Sequence, residues 1–398
     1  MQPGFFRTAI VLGLLSCVGP FAIDMYLPAM PTIAAALSTD SSAVQATLSA
    51  YFLAFGLAQL VYGPLADQYG RKGPILAGLA IFLAGSVGCA LAPSISWLVG
   101  FRFLQGLGGA AVMVVPRAII RDQYTGAMAT RLMALIMLVI SVSPMLAPLA
   151  GTAIIAVSDW RAIFWFMVAA AVLSIALTVV MQPETLARAA RVPVNVASLA
   201  RGSGQLLRDP YFMGLTFIGG FGMASFFVFI ATASFVYTGH YGLSNTGFSL
   251  AFAANAIGFF GSSQFAGALG ERFGMRRVVW TATSGFALLV FILFALALAA
   301  PLPLAVLIVG LMLANACLGL VIPSCMVMSL DDHGDRAGLA SSLGGTLQMM
   351  AGAGMIVLSG PFLDGTPVPM VGAIAVCAAL AFVLALLVLR RPAPVAAE

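Results

Sequence analysis

Residues 63–72 read GPLADQYGRK, and residues 267–277 read GALGERFGMRR. In both stretches a glycine is followed four residues later by an acid (Asp67, Glu271). Three residues further on comes a second glycine (Gly70, Gly274), with basic residues behind it. The copies lie 204 residues apart, and each closes the second long apolar stretch of its half of the chain. A loop repeated at constant offset and with the same flanks marks a chain built from two parallel copies of one unit.

The stretches around these loops say where the chain lives. Its 398 residues are 62% hydrophobic and only 8% charged, with a mean hydropathy of +1.08, whereas soluble proteins carry about 25% charged residues. So few charges cannot solvate a surface of this size, and disorder needs the opposite composition. The apolar runs are about 20 residues or longer and do not alternate with polar positions, so the spans are helices and not barrel strands. Twelve are predicted, over 8–32, 44–65, 74–93, 96–118, 130–156, 161–181, 210–237, 245–268, 277–299, 303–329, 338–360 and 368–389. The polar stretch 182–209 divides them six and six. The expected organisation is therefore an all-α polytopic protein of two pseudo-symmetric six-helix bundles, 1–181 and 210–398, joined by a central loop, 182–209. Residues 8–23 follow Arg7 as a signal-peptide core would, but no small-x-small site follows them. They read as a retained first span.

The basic residues set the orientation. Sixteen of the 18 Lys and Arg fall on one side: Arg7, Arg71 and Lys72, Arg117, Arg121 and Arg131, then Arg188, Arg191, Arg201 and Arg208 of the central loop. Arg272, Arg276, Arg277, Arg336, Arg390 and Arg391 complete the set. Arg161 alone stands opposite, and Arg102 falls inside span 4. Short cytoplasmic loops hold the positive excess, so both termini are expected in the cytoplasm. The net charge of +5 is then a topology signal, with no clustered base-reading face for nucleic acid. All five cysteines lie in predicted spans without a CxxC pair. Neither a disulfide, a metal site nor a cofactor is expected, and the two histidines, His240 and His333, read as solvated loop residues.

Four stretches carry a resemblance to a known family: Asp24-Met-Tyr-Leu-Pro28 in span 1, the Gly63–Lys72 loop, Arg102-Phe-Leu-Gln105-Gly106-Leu-Gly108-Gly109 in span 4, and Pro144-Met-Leu-Ala-Pro148-Leu-Ala-Gly151 in span 5. With them the chain resembles the major facilitator superfamily, and within it the drug:proton antiporters of the bicyclomycin/chloramphenicol-resistance (Bcr/CflA) type. The resemblance implies the twelve-helix major facilitator fold, alternating access, export of small amphipathic compounds against protons, and a bacterial inner membrane.

Asp24 is the most informative residue, because an ionisable group deep in a span is expensive and marks a functional site. Its candidate partner is Arg102. At a rise of about 1.5 Å per residue both lie roughly 10 Å from the outer surface. Burial and a nearby guanidinium act in opposite directions on a carboxyl group's proton affinity, so bringing the two together and apart would couple proton binding to conformation. No second copy exists 204 residues on, where Val228 and Val306 stand. Arg102, Gln105, Gly109 and Met113 form one helical face. Gly106-Leu-Gly108-Gly109 inside a span serves close helix packing; a dinucleotide fingerprint needs a preceding strand. Tyr26, Gln59, Gln105 and Asn255 are the candidate substrate contacts.

The Gly63–Lys72 loop reads as a conformational latch. Gly63 opens the motif, Gly70 serves the turn, Asp67 suits a helix N-terminus, foremost that of span 11, and Arg71 is expected to pair with Asp122. The resemblance implies that such contacts hold the cytoplasmic side closed in the outward-open state. In span 5, Pro144 and Pro148 bend the helix and Gly151 permits close approach. The motif's second terminal glycine is replaced by Thr152, and Ser141 stands at an upstream glycine position.

The function expected is proton-coupled export, by a monomer in the bilayer, of small amphipathic drugs, and not an enzymatic reaction. One competing reading is a proton-coupled transporter of a single metabolite such as a nucleoside, nucleobase or sugar. Another is an uncoupled facilitator or channel. No GxxxxGK[ST] loop is present for an ATP-driven pump.

Overall fold

The computed structural model describes residues 3–331, 333 and 336–389. Arg390 and Arg391, counted above for orientation, lie outside the described residues. Every regular element among the described residues is helical: α1 (Pro3–Asp24), α2 (Met30–Ala36), α3 (Ser41–Tyr69), α4 (Lys72–Leu91), α5 (Ile95–Gly109), α6 (Ala111–Gln123), α7 (Gly126–Val157) and α8 (Arg161–Met181) come first. Then follow α9 (Val196–Arg208), α10 (Pro210–Ser234), α11 (Asn245–Ser263), α12 (Ala266–Phe273), α13 (Met275–Ala299), α14 (Leu304–Asp331), α15 (Ala337–Ser359) and α16 (Pro367–Leu389).

Eleven stretches of the described chain are long and apolar enough to cross a membrane. Span 1 is α1 and α2 together, and span 4 is α5 and α6. The predicted eighth span is occupied by α11 and α12, separated by a turn at Gln264–Phe265. It is not among the eleven, and it carries Ser249, Asn255, Ser262 and Ser263. Residues such as Leu173, Val180, Leu288 and Leu358 leave more than half of their surface uncovered, as lipid-facing side chains do.

The break inside span 1 follows from its prolines. Pro28 and Pro31 lack the N–H groups that would bond the carbonyls of Asp24 and Leu27. The α-helix accordingly stops at Asp24, a 3-10 turn covers Leu27–Ala29, and helix resumes at Met30. Asp40 caps α3 by accepting from the Ala43 N–H at 2.7 Å, the usual device for a helix start.

The chain divides into two compact units. The first comprises Met1–Val196 with Ile230–Ala253 and Ile356–Gly365. In it α5 packs on α3 and α4, α4 packs on α8, and α1 packs on α7. Gly106 and Gly108 make the first of these approaches possible: a Cβ there would meet Tyr51 O at 2.4 Å and Phe82 N at 2.3 Å. The second unit comprises Ala197–Phe229, Ala254–Met355 and Thr366–Glu398. Its buried cluster draws Leu215, Ile218, Val279, Val321, Cys325 and Ala385 from α10, α13, α14 and α16. In lipid such packing holds helices by close contact, since the acyl chains are as apolar as the core. Arg276 at the start of α13 donates through Nε to Leu389 O at 2.8 Å, satisfying an otherwise unpaired carbonyl at the end of α16.

Candidate functional site

The first unit holds two polar clusters. One forms where α1 breaks. Asp24 is its last helical residue and is 4% exposed. Arg102, from α5, is fully buried. Its guanidinium lies between two tyrosine rings, 4.7 Å from the centre of Tyr26 and 4.6 Å from that of Tyr51. Nη1 donates to Ala22 O at 3.0 Å and to Gln105 Oε1 at 2.6 Å. Gln105 Nε2 donates in turn to Ser86 Oγ at 2.8 Å. Tyr26 Oη and Thr47 Oγ1 share a hydrogen bond of 2.9 Å, and Tyr51 donates to Gly19 O at 3.5 Å.

The sequence makes Arg102 the candidate partner of Asp24, and the structure brings it to within two residues, at Ala22. No ion pair joins the two side chains among the described residues. The reason is competition for the guanidinium: the Ala22 carbonyl of α1, the Gln105 amide of α5 and the faces of Tyr26 and Tyr51 occupy it. Even so, Nε and Nη2 of Arg102 are buried with no acceptor. Leaving charged donors unmet costs free energy, so this cluster is held together with open valence.

Gly151 supports the break from α7. A Cβ at Gly151 would meet Met25 O at 2.3 Å and Pro28 Cγ at 3.1 Å. The helix that contains Pro144 and Pro148 thus presses a bare position, Gly151, against the residue next to Asp24. One residue on, Thr152 Oγ1 shares a 3.0 Å hydrogen bond with Ser249 Oγ and donates to Asn245 O at 3.3 Å.

The second cluster sits at the other end of the same unit. Arg71 spans Asp122 with two bonds, Nε to Oδ2 at 2.7 Å and Nη2 to Oδ1 at 3.1 Å, and reaches Asp67 Oδ1 through Nη1 at 2.5 Å. The expected Arg71–Asp122 pair is therefore formed, and Asp67 joins it. Gly70 has φ +92°, a conformation that favours glycine.

Sequence reasoning missed what completes this cluster. Glu184 Oε1 accepts the Arg71 N–H at 2.8 Å and Oε2 the Lys72 N–H at 3.2 Å, capping α4 from the segment after α8. Thr185 Oγ1 donates to Asp122 Oδ2 at 3.0 Å. Val192 N–H donates to Asp67 O at 3.1 Å and Val194 N–H to Gln68 Oε1 at 3.0 Å. A Cβ on Gly70 would fall 2.4 Å from Glu184 Oε2. Partial burial pushes the Glu184 carboxyl up, but the N–H groups of Arg71, Leu186, Lys72 and Thr185 outweigh it and hold it below its ordinary value. The available signal was an acid, Glu184, opening an Arg-rich loop.

Of the candidate substrate contacts, Tyr26 and Gln105 join Arg102. Gln59 is half-buried on α3 and enters neither cluster. Asn255 belongs to the second unit, fully buried, where it accepts from Asn315 Nδ2 at 3.2 Å. Gly63 is half-buried near the end of α3. His333 is not simply solvated: its Nε2 lies 3.1 Å from Asp209 Oδ2 and its ring stands edge-on to Phe212. Arg117, counted above with the cytoplasmic loops, lies half-buried within α6.

Comparisons with known proteins agree with this architecture. The family model described as Major Facilitator Superfamily matches residues 12–356. An uncharacterized MFS-type transporter of Bacillus subtilis, YdgK, is 35% identical over 384 residues, 94% of each chain. A bicyclomycin resistance protein homolog of Haemophilus influenzae is 33% identical over 274 residues, 68% of this chain and 67% of that one. Among solved structures, a nucleoside transporter, NupG, superposes with a TM-score of 0.76 at 13% identity, covering 97% of this chain and 98% of its own. That likeness concerns the fold alone.

Proposed function

The chain belongs to the Major Facilitator Superfamily, and from that premise we propose that it exports small amphipathic drugs across the bacterial inner membrane in exchange for protons. One observation carries the reading: a buried carboxyl, Asp24, at a helix break, beside a guanidinium that makes no ion pair with it. The bicyclomycin resistance relative supports drugs as the cargo.

In this reading both termini are cytoplasmic, the chain works as a monomer, and residues 1–181 and 210–398 form the two bundles of the transport cycle. With the site open inward, Asp24 releases its proton to the cytoplasm as substrate enters. With the site open outward, Asp24 takes a proton from outside, which favours release and reset. Arg102 holds the α1 break through Ala22 and sets the proton affinity of Asp24 according to its distance. The Arg71–Asp122–Asp67 cluster is the cytoplasmic latch. One proton in per neutral drug out moves one positive charge inward, worth about 2.3 kcal/mol per 100 mV.

Proteoliposomes loaded with a pH dye test the proposal, with chloramphenicol, a sulfonamide, a lipophilic cation and a purine nucleoside added in turn. Proton movement with several unlike drugs, lost in Asp24→Asn, is the expected result. Movement with the nucleoside alone would assign a metabolite transporter. Transport unchanged in Asp24→Asn would make the carboxyl structural and end the coupling model.

A further inference from the structure

Three charged residues lie more than four positions inside the ends of the apolar spans among the described residues: Asp24, Arg102 and Arg117. The span interior is therefore net positive by one charge with Asp24 ionised, and by two with it protonated. The two arginines lie on one line of span 4. Arg102, Gln105, Gly109, Met113 and Arg117 follow one another at intervals of three or four residues, which places them on one helical face. Arg102 and Arg117 are thus roughly 22 Å apart along the helix at about 1.5 Å per residue.

Their surroundings differ. Arg102 is sealed between two rings and bonded to Ala22 and Gln105. Arg117 donates no hydrogen bond and enters no ion pair among the described residues, and its Nε is buried without an acceptor. On α6 the residues Val115, Pro116, Ala118, Ile119 and Ile120 are buried, while Met113, Val114 and Arg117 keep part of their surface open. A guanidinium on that open face offers a planar fork of donors to whatever passes it. Nearby Arg121 and Asp122 lie at the helix end, where Asp122 is taken up by Arg71 and Thr185.

We propose that Arg117 selects the cargo by charge, making this chain a transporter of neutral and monoanionic amphiphiles that rejects lipophilic cations. The proposal rests on the drug-export reading for span 4 lining the substrate path. An anion entering while Asp24 is ionised brings the interior from net positive to neutral, whereas a cation raises it to two positive charges. An anionic or acceptor-rich group also supplies the partner that Arg117 lacks. Exchange of one proton for one monoanion moves two positive charges inward per cycle, so an inside-negative potential drives it harder than it drives neutral cargo.

The test is equilibrium binding to the full chain in detergent, using three naphthalene probes that differ only in a sulfonate, a carboxamide or a trimethylammonium group. The wild type is expected to bind the sulfonate about tenfold more tightly than the trimethylammonium compound, in the range of partly desolvated charge pairs. Arg117→Gln should lose roughly that tenfold for the sulfonate, change the carboxamide less than about twofold, and be rescued by Arg117→Lys. Equal wild-type affinity for the cation and the anion would overturn the proposal, as would a Gln variant that weakens all three probes alike. Equal wild-type affinities overturn the proposal even where a variant fails to fold, and a ranking kept in Arg117→Lys but lost in Arg117→Gln assigns it to Arg117 and not to Arg102. The intact ranking in a protein that moves no protons would defeat the antiport reading and leave this one standing. Proton movement without any ranking does the reverse.

Discussion

The two polar clusters of the first unit use the same residue types to opposite ends. In the cluster at the α3–α4 loop, Arg71 has both Asp122 oxygens and Asp67 within bonding distance, and Glu184 and Thr185 meet the remaining groups. At the α1 break, Arg102 has a carbonyl, an amide and two rings, and two of its nitrogens go unmet. The first arrangement is saturated, and Asp67 leaves more than half of its side chain exposed, so water screens that part of the pairing and lowers its net worth. The second is open and dry, where an uncompensated charge matters most. Saturation makes a clasp; open valence in a dry place makes a site that responds when a proton or a ligand arrives.

The contrast is broken most sharply by neutralising one acid in each cluster. Asp24→Asn should abolish drug-driven proton movement in proteoliposomes. Asp122→Asn, which removes charge from a pair with Arg71, should keep the coupling and slow the cycle. Equal loss in both variants would erase the distinction between the clusters.

Next in size is Gly151→Ala. The added methyl would sit 2.3 Å from Met25 O, so α7 or the α1 break must shift. Overpacking of this kind costs about 1–3 kcal/mol. Thermal unfolding in detergent should register it, and transport should fall further than stability because the displaced backbone adjoins Asp24. A variant with lowered stability and unaltered transport would detach Gly151 from the site.

The smallest effect is expected at Glu184→Gln. Its carboxylate is exposed and caps α4, so the loss should lie on the order of 0.5–1 kcal/mol, the lower part of the range for caps. Because the folded protein holds this carboxyl below its ordinary value, its contribution is present above the unfolded value. It fades as pH falls through the folded one. The wild type should therefore lose its advantage over the Gln variant under acid conditions. A constant difference across that range would mean that the carboxylate's charge plays no part in the cap.

Much of the spans and of the loop after α3 was legible in sequence. Long apolar runs and the one-sided basic residues placed the helices, and the Gly–acid–Gly repeat located the loop whose Arg71–Asp122 pair is formed. Span 8 was less legible in its internal geometry, because a turn at Gln264–Phe265 divides it without a proline. At the α1 break the sequence identified Asp24 and Arg102 by their rarity in a span. It did not show that Arg102 bonds Ala22, or that Tyr51 stacks against it. Those depend on how close α5 comes to α1 and to α3. Glu184 was invisible for a similar reason: its partners, Arg71 and Lys72, are more than a hundred residues away.

The sequence alone therefore determined the environment, the helical spans and the residues too costly to bury without purpose. Each of these follows from transfer free energy and from periodicity, which are local properties of the chain. Only the tertiary structure decided which of the buried charges are satisfied. Arg71 and Arg102 are the same residue type, one between α3 and α4 and the other inside α5. One is matched and the other open because packing brings carboxylates to the first, and carbonyl, amide and ring faces to the second.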